Sequence, residues 1–252
     1  MAEPTILDRH RVVLVSLILG GAVVCSTAIL ARSVVSVFRI RHQNKMVTVT
    51  GSAKRRIQSD LIVWRARVQA RAADLAAAYK TLSVDVGRVA EFVRAQGIDP
   101  KEVVVEAAQT SEVHPHDHEG HELTETTIAY SMEQSIEVTS HDIGKVARAA
   151  NEATRLIEDG IYVNSEPPHY LYTKLAELKI QMLAEAAKDA RVRADQIATS
   201  TGSRVSSLQT ARMGVMQINA ANESEVSAEG TNDTSSLDKD VMAIVTATFG
   251  VD

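Results

Sequence analysis

Cysteine occurs once in the 252 residues, as Cys25, so no disulfide can form within one chain. Aromatic residues make up only 4% of the chain, and no basic stretch is interleaved with them. The chain therefore has little material for stacking nucleic-acid bases. The formal net charge of −5 gives no general attraction to a polyanion. We expect no nucleic acid among its partners.

Motifs of catalytic and nucleotide-binding sites are missing as well. The sequence has no GxSxG nucleophile elbow, no GxxxxGK[ST] phosphate loop, no GxGxxG dinucleotide loop and no CxxC pair. Its carboxylates are scattered along predicted helix faces, where Glu177, Glu185 and Asp189 stand near lysines at spacings typical of exposed ion pairs. We expect that the protein is not an enzyme and that it has no catalytic residues and no bound cofactor.

The long uncharged stretch of the sequence lies near the N-terminus. Residues 12–31, VVLVSLILGGAVVCSTAILA, would span about 30 Å as a helix, which is the thickness of a bilayer core. We predict an N-terminal tail over residues 1–11, then a transmembrane helix and juxtamembrane linker over residues 12–38. The alternative is a cleaved signal peptide. The retained anchor is favoured because the apolar stretch exceeds the roughly 7 to 15 residues of a usual signal-peptide core.

The charges that flank this stretch leave its orientation open. Basic residues follow it at positions 32, 39, 41 and 45, while Arg9 and Arg11 precede it, diluted by Glu3 and Asp8. The positive-inside rule would place the C-terminal domain in the cytoplasm. Large domains cross membranes despite such charges, so this count does not decide the orientation.

The remaining sequence, residues 45–252, alternates between strand and helix patterns and predicts a single α+β domain. Alternating and β-branched stretches predict strands over residues 45–51, 61–71, 103–105, 126–139, 161–163, 205–218 and 241–251. Three- and four-residue apolar spacing predicts helices over residues 72–96, from Ser140 to Gly160, and over 170–201. Residues 219–240 are rich in Ser, Asn, Asp and Glu, and we predict a mobile polar loop there.

Two local patterns carry further expectations. The third helix should bury a stripe that becomes alanine-rich and lets it pack closely against a neighbour: Leu175, Leu178, Met182, Ala186, Ala190, Ala194 and Ile197. The basic run at residues 54–56 is expected in a solvated turn after Gly51, the alternative being contact with anionic lipid headgroups.

Three segments together resemble the SIMPL (DUF541) family: VTVTGSA at residues 47–53, YSMEQSIEV at 130–138 and AEAAKDARVRADQIATSTG at 184–202. The resemblance implies antiparallel sheets packed with long helices, a periplasmic or envelope domain behind an inner-membrane anchor, and assembly into a homo-oligomer that can be ring-shaped. It also implies a loose connection with stress tolerance. A cytoplasmic orientation stays open because of the flanking charges.

An unusual histidine cluster departs from the family pattern. The segment EVHPHDHEGHELTE at residues 112–125 contains His114, His116, His118 and His121 among several carboxylates. Imidazole and carboxylate suit zinc or copper, so these histidines are the candidate metal ligands. A solvated insertion is the favoured interpretation, because a histidine-rich tract is only compositional. The segment does not match a metalloprotease site, because the HExxH motif would need a second histidine where Glu125 stands.

These observations predict a membrane-anchored, self-assembling SIMPL-like envelope protein with a structural or interaction role. The anchor places residues 12–31 in the membrane, and the likeness to the family predicts a homo-oligomer. The alternative function is an envelope metal-binding module that uses the histidines of residues 114–121.

Overall fold

The computed structural model describes residues 20–21, 26–32, 45–116, 119–121 and 123–252. Residues 20–21 and 26–32 are helical. No helix in these ranges is both long enough and apolar enough to cross a membrane. Most of the predicted transmembrane stretch, with the tail before it and the linker after it, lies outside the described residues. The anchor therefore stays a prediction.

The described chain contains helices and strands in mixed order, and the predicted α+β class is confirmed. The strands are β1 (Met46–Gln58), β2 (Leu61–Ala72), β3 (Val103–Val105), β4 (Gln109–Val113), β5 (Ala129–Ser140), β6 (Val163–Ser165), β7 (His169–Leu171), β8 (Val205–Met213), β9 (Gln217–Ala220), β10 (Thr231–Asn232) and β11 (Asp238–Val251). The α-helices are α1 (Leu75–Ala95), α2 (Ile143–Glu152) and α3 (Leu175–Ser200), with short 3₁₀ turns at Pro100–Glu102 and Ala153–Ile157.

The strands form two sheets. The first has the order β1-β11-β9-β10, with β8 also paired to β11. The second has the order β3-β5-β2-β6, with β4 paired to β5 and β7 paired to β2. The β2–β5 ladder is antiparallel and runs from Ile62 opposite Ser140 to Ala72 opposite Tyr130, whereas β10 runs parallel to β9.

The chain divides into two compact units. Unit one comprises residues 1–51, 188–212 and 246–252, and unit two comprises residues 52–187 and 213–245. The division falls within β1, α3, β8 and β11, so each of these four elements contributes residues to both units.

The core of unit two lies where α1 and α2 pack on the second sheet. Helix α1 contacts β2 and β5, and α2 contacts β2. Alternate residues of β2 face this core, and Trp64 is fully buried there. Its indole Nε1 donates a hydrogen bond to Ser165 Oγ at 2.9 Å, and that hydroxyl donates to the carbonyl of Ala150 at 2.8 Å. One buried hydrogen-bond chain thus joins β2, β6 and α2.

Capping residues fix where the first two helices begin. The predicted start of α1 was three residues early, because β2 continues to Ala72 and the Asp74 carboxylate then accepts from the N–H of Ala77 at 2.9 Å. The prediction that Ser140 caps α2 was wrong. Ser140 ends β5, and Asp142 caps the helix by accepting from the N–H of Lys145 at 3.2 Å.

Helix α3 starts later than predicted, because residues 169–171 pair with β2 as the short strand β7. Its buried stripe also differs at both ends. Leu175 is only half-buried and Ile197 is 47% exposed, while Ala198 is buried. The buried positions keep a constant four-residue step from Leu178 to Ala198, and each such step moves the stripe by about 40° around the helix. This drift explains the correction, because it carries the buried side from Ile197 to Ala198 at the end of the helix.

Strand β1 continues well past the predicted turn at Gly51. Its buried positions Val49, Ala53 and Ile57 keep the alternation of a strand with one covered face. The basic run at residues 54–56 therefore lies inside the strand and not in a turn. The prediction of a turn was wrong because it treated glycine as a stop, whereas an extended backbone also accepts glycine.

Unit one contains the C-terminal half of α3, with Ala190, Ala194 and Ala198 buried. The Arg191 guanidinium donates to the carbonyls of Ser206 at 2.7 Å and Val205 at 3.1 Å. Its Cζ atom also lies 5.3 Å from the centre of the Phe249 ring. One arginine thus ties α3 to the start of β8 and to the end of β11.

Candidate functional site

Strand β8 is exposed along its length. All nine residues from Val205 to Met213 are either half-buried or exposed, and the side chains of Leu208 and Met213 are 54% and 66% exposed. The strand pairs with β11 on one side, and the described residues supply no strand on its other side. An edge of this kind is a template on which another strand can pair.

The start of β8 is held by β11 and by α3. Arg204 and Asp252 exchange both backbone hydrogen bonds, at 3.0 and 2.9 Å, so Arg204 faces β11. The Arg191 guanidinium donates to the carbonyls of both Val205 and Ser206, and a Cβ atom on Gly250 of β11 would lie 3.9 Å from the Ser207 carbonyl oxygen. The exposed part of the edge is therefore the stretch that follows Ser207.

The second sheet has a shorter exposed edge at β3. Val104 and Val105 are 58% and 46% exposed, and β3 pairs with β5 on one side. β-branched residues exposed on an edge strand favour the addition of a further strand. β3 is therefore a second exposed strand edge of the described chain, different from the edge at β8.

The basic run in β1 is engaged by carboxylates. Lys54 Nζ lies 3.1 Å and Arg56 Nε 2.9 Å from the buried carboxylate of Asp240. On the other face of the strand, Arg55 donates to Gln181 at 2.7 Å and pairs with Glu185. Three cations with carboxylate partners do not make a free cluster for lipid headgroups.

The Asp240 carboxylate is held in its charged form. The hydrogen bond from Arg56, followed by one from the backbone N–H of Asn222 at 3.0 Å and the proximity of Lys54, keeps the pKa of Asp240 far below its usual range. This carboxylate therefore ties β1 to β11 and to the turn that follows β9.

The polar segment over residues 219–240 is connected to buried side chains. Gln217 and Asn219 are 3% and 7% exposed, and their amide groups donate to the carbonyls of Ser227 at 2.8 Å and Glu225 at 2.7 Å. The segment also contains β10. That it is mobile stays a prediction. Composition alone did not reveal its buried polar contacts, because such residues are typical of solvated loops.

Lys239 is a buried lysine that sequence reasoning missed. It is 2% exposed, and its Nζ donates to the backbone carbonyl of Asp233 and lies 3.4 Å from the Oδ2 atom of that residue. Burial lowers the pKa of Lys239, although the charge of Asp233 partly opposes this. The alternation of the strand could have revealed its burial, because Lys239 lies on the same face of β11 as the buried Val241 and Ala243.

Asp233 is ionised despite being partly buried. Burial raises its pKa, but hydrogen bonds from the hydroxyl and backbone N–H of Ser235, at 2.6 and 2.8 Å, outweigh burial and lower the pKa of Asp233 to about 2. Both carboxylate oxygens are thus engaged, since Oδ1 accepts from Ser235 and Oδ2 lies 3.4 Å from the Lys239 amine.

The predicted histidine ligands are only partly brought together. His114 is 15% exposed; its Nδ1 lies 3.0 Å from the carbonyl of Thr126, and its Nε2 lies 3.9 Å from Glu112. His121 is exposed, with Nδ1 at 3.7 Å from Glu119. No other candidate ligand is found beside His116 among the described residues. His118 lies outside the described residues, as do Asp117 and Glu122. Among the residues that are described, no three His, Cys, Asp or Glu side chains form a group that could hold a metal ion.

Fold and surfaces together define an α+β protein with two sheets, an alanine-lined helix and open strand edges. The sequence profile of SIMPL, a protein of unknown function (DUF541), matches residues 47–249. The chain belongs to the SIMPL family, and the resemblance seen in three sequence segments is confirmed over almost the whole of residues 45–252. Among curated proteins, none matches this chain.

Proposed function

We propose that this SIMPL protein is a membrane-anchored, self-assembling envelope protein that acts through binding surfaces and not through catalysis. Strand β8 carries the proposal. Its exposed residues bury little apolar area within one chain, and no strand of the described residues pairs with its other side, which leaves backbone hydrogen-bonding groups available. Pairing with a strand of a second copy would satisfy these groups and cover Leu208 and Met213.

The two strand edges support an assembly that can close into a ring. Contacts between two different surfaces of one chain propagate head to tail, and they form a ring when the rotation closes. The edges at β8 and at β3 supply two such surfaces. We propose a homo-oligomer, with a structural or stress-related role that follows the family.

The anchor in this proposal is the apolar stretch over residues 12–31, with residues 45–252 on the periplasmic side of the inner membrane. Several anchors beneath one oligomer would bind the membrane more firmly than one. Alkaline carbonate washing of membranes tests this part, because it releases peripheral proteins and leaves spanning helices in place. Recovery of the intact chain in the wash would rule out the anchor.

Assembly is tested by measuring the mass of the detergent-extracted protein by light scattering, with Leu208→Lys as the probe. Leu208 is 54% exposed within one chain, so lysine should not disturb the fold, whereas a charge on an edge strand opposes pairing with another strand. We expect an oligomer for the wild type and a mass several-fold lower for Leu208→Lys. Leu208→Val is the matched control and should keep the wild-type mass. A monomeric wild type, or a Lys variant of unchanged mass, contradicts the proposal.

The histidine segment supports a second candidate function, namely metal binding. In His114, the contact between Nδ1 and the carbonyl of Thr126 leaves Nε2 available as a ligand, which is the usual arrangement of metal-binding histidines. Zinc or copper titration of the wild type, of His114→Ala and of His141→Ala tests it. His141 lies outside the segment and also places Nδ1 near a backbone carbonyl, that of Asp60. Equal metal binding by all three proteins would rule out a metal site at His114.

A further inference from the structure

A cavity of about 260 Å³ lies within unit two, beside the start of α3. Its wall is mainly apolar and aromatic, with the following side chains: Ile57, Leu61, Tyr170, Tyr172, Leu175 and Ile218. Lys239 and Asp233 supply charge in the same wall. The volume falls just below the roughly 300 to 1,000 Å³ of most small-molecule sites, so it suits a compact ligand.

Lys239 brings an incompletely used hydrogen-bond donor to this cavity. An ammonium group has three N–H donors, and the carbonyl and carboxylate of Asp233 account for two of them. The described residues supply no third acceptor. With the lysine 2% exposed, a donor left without a partner is costly, and an acceptor inside the cavity would remove that cost.

The Lys239 ammonium favours an anionic acceptor, and Asp233 supplies one negative charge to the same wall. Asp233 Oδ2 lies 3.4 Å from the Lys239 amine, which is longer than the roughly 2.7 to 2.9 Å of a strong charge-assisted hydrogen bond. Across the wall shared by Ile57 and Tyr172, a more open depression is lined by Arg55, Arg56, Lys174 and one carboxylate, Glu177. Arg55 and Arg56 have carboxylate partners, whereas Lys174 has no ion-pair partner among the described residues.

We propose that this cavity binds a small apolar carboxylate. The ring or short chain of the ligand lies against Ile57, Leu61 and Tyr172, and its carboxylate accepts a hydrogen bond from Lys239. The inference goes beyond the proposed assembly role and does not depend on it, since a monomer would carry the same cavity.

Calorimetric titration of the full-length protein with benzoate tests the site. Benzamide and benzylamine are matched probes of similar size that are neutral and cationic. We expect benzoate to bind at least about tenfold more tightly than benzamide, because only the anion forms a charge-assisted hydrogen bond with Lys239. Benzylamine should not bind. Absence of heat with benzoate, or equal affinity for benzamide, overturns the proposal.

Variants locate the binding. Lys239→Met removes the donor at similar volume and should weaken benzoate binding by about tenfold or more. Lys54→Met is the matched control, because Lys54 does not line the cavity and should leave the affinity unchanged. Leu175→Trp fills the cavity from a half-buried position in its wall, so it tests the site even if Lys239→Met does not fold. Undiminished binding by folded Leu175→Trp contradicts the assignment.

Discussion

Gly230 occupies a backbone position that a larger residue fits only with strain. Its φ is +91°, and a Cβ atom there would lie 2.6 Å from Val215 Cγ1 and 2.9 Å from the carbonyl oxygen of Met216. We expect Gly230→Ala to lower the free energy of unfolding by about 1–3 kcal/mol, from the φ strain together with the clash. Urea denaturation followed by circular dichroism measures this.

Gly87 provides a control, because its substitution by alanine should change the free energy of unfolding in the opposite direction. It lies on the exposed face of α1, and a Cβ atom there meets nothing within 4 Å. Gly87→Ala should raise the free energy of unfolding by roughly 0.5–1 kcal/mol, because alanine favours the helix. If both variants shifted stability in the same direction, the strain assigned to Gly230 would be wrong.

The carboxylates of Asp233 and Asp240 predict acid sensitivity. Both have folded-state pKa values below the ordinary value of 3.8, with Asp233 at about 2. A lowered carboxylate pKa gives stability that is complete above the unfolded-state value and is lost as the pH falls through the folded-state value. The free energy of unfolding should therefore decline from about pH 4 to about pH 2.

Asp240→Asn separates this effect from general acid denaturation. Asparagine keeps the shape but cannot ionise, so Lys54 and Arg56 lose their shared anion at every pH. We expect a variant that is less stable than wild type at pH 7 and whose stability falls less steeply below pH 4, as measured by denaturation at several pH values. An unchanged slope would show that Asp240 does not govern the acid transition.

At the scale of elements, Ser165 is the polar link between β6, β2 and α2. Its hydroxyl accepts from Trp64 and donates to the carbonyl of Ala150. Ser165→Ala leaves the indole N–H buried without a partner and should cost about 1–3 kcal/mol of unfolding free energy. The emission of Trp64, the single tryptophan, should also change. In the double variant Trp64→Phe/Ser165→Ala, the loss from the serine change should be smaller, since no indole donor is then left unbonded.

Helix α3 depends on small side chains. Ala190 is fully buried, so Ala190→Leu should overpack its surroundings and lower the free energy of unfolding by about 1–3 kcal/mol. Ala187→Leu, on the exposed side of the same helix, should be nearly neutral. The urea midpoints of the two variants test this difference in stability. Equal midpoints would mean that the alanine stripe is not required for close packing.

The elements also show what periodicity can and cannot predict. The alternation over residues 61–71 predicted the strand β2, and the three- and four-residue spacing predicted most of the α3 stripe, because both patterns report one covered face. The length of β1 was missed because Gly51 looked like a stop. The short strand β7 was missed because it depends on pairing with β2, which lies more than 100 residues away. Nonlocal pairing leaves little local signal.

At the scale of the whole molecule, the family and the α+β class could be predicted from the order of three ordinary motifs. The buried Lys239 and its cavity could not, because they arise where distant segments meet. Ile57, Leu175 and Ile218 share that wall although they are far apart in sequence. The open edge of β8 was equally hidden, since an exposed strand and a covered one can share the same composition.

The whole chain should unfold in one step. Because β1, α3 and β11 each continue from one unit into the other, loss of either unit disrupts elements of both. We expect urea transitions followed by Trp64 emission, which reports on unit two, and by far-ultraviolet circular dichroism to coincide. Two separated midpoints would show that the units unfold independently.

The division within β1, α3 and β11 also bears on the evolution of this fold. Each unit is assembled from stretches that are separated in the chain, so no single cut in the gene yields either of them whole. Gene fusion and shuffling can therefore move these residues only as one inseparable block. A relative that has lost one half should be very rare, whereas extra modules should be added before β1 or after β11.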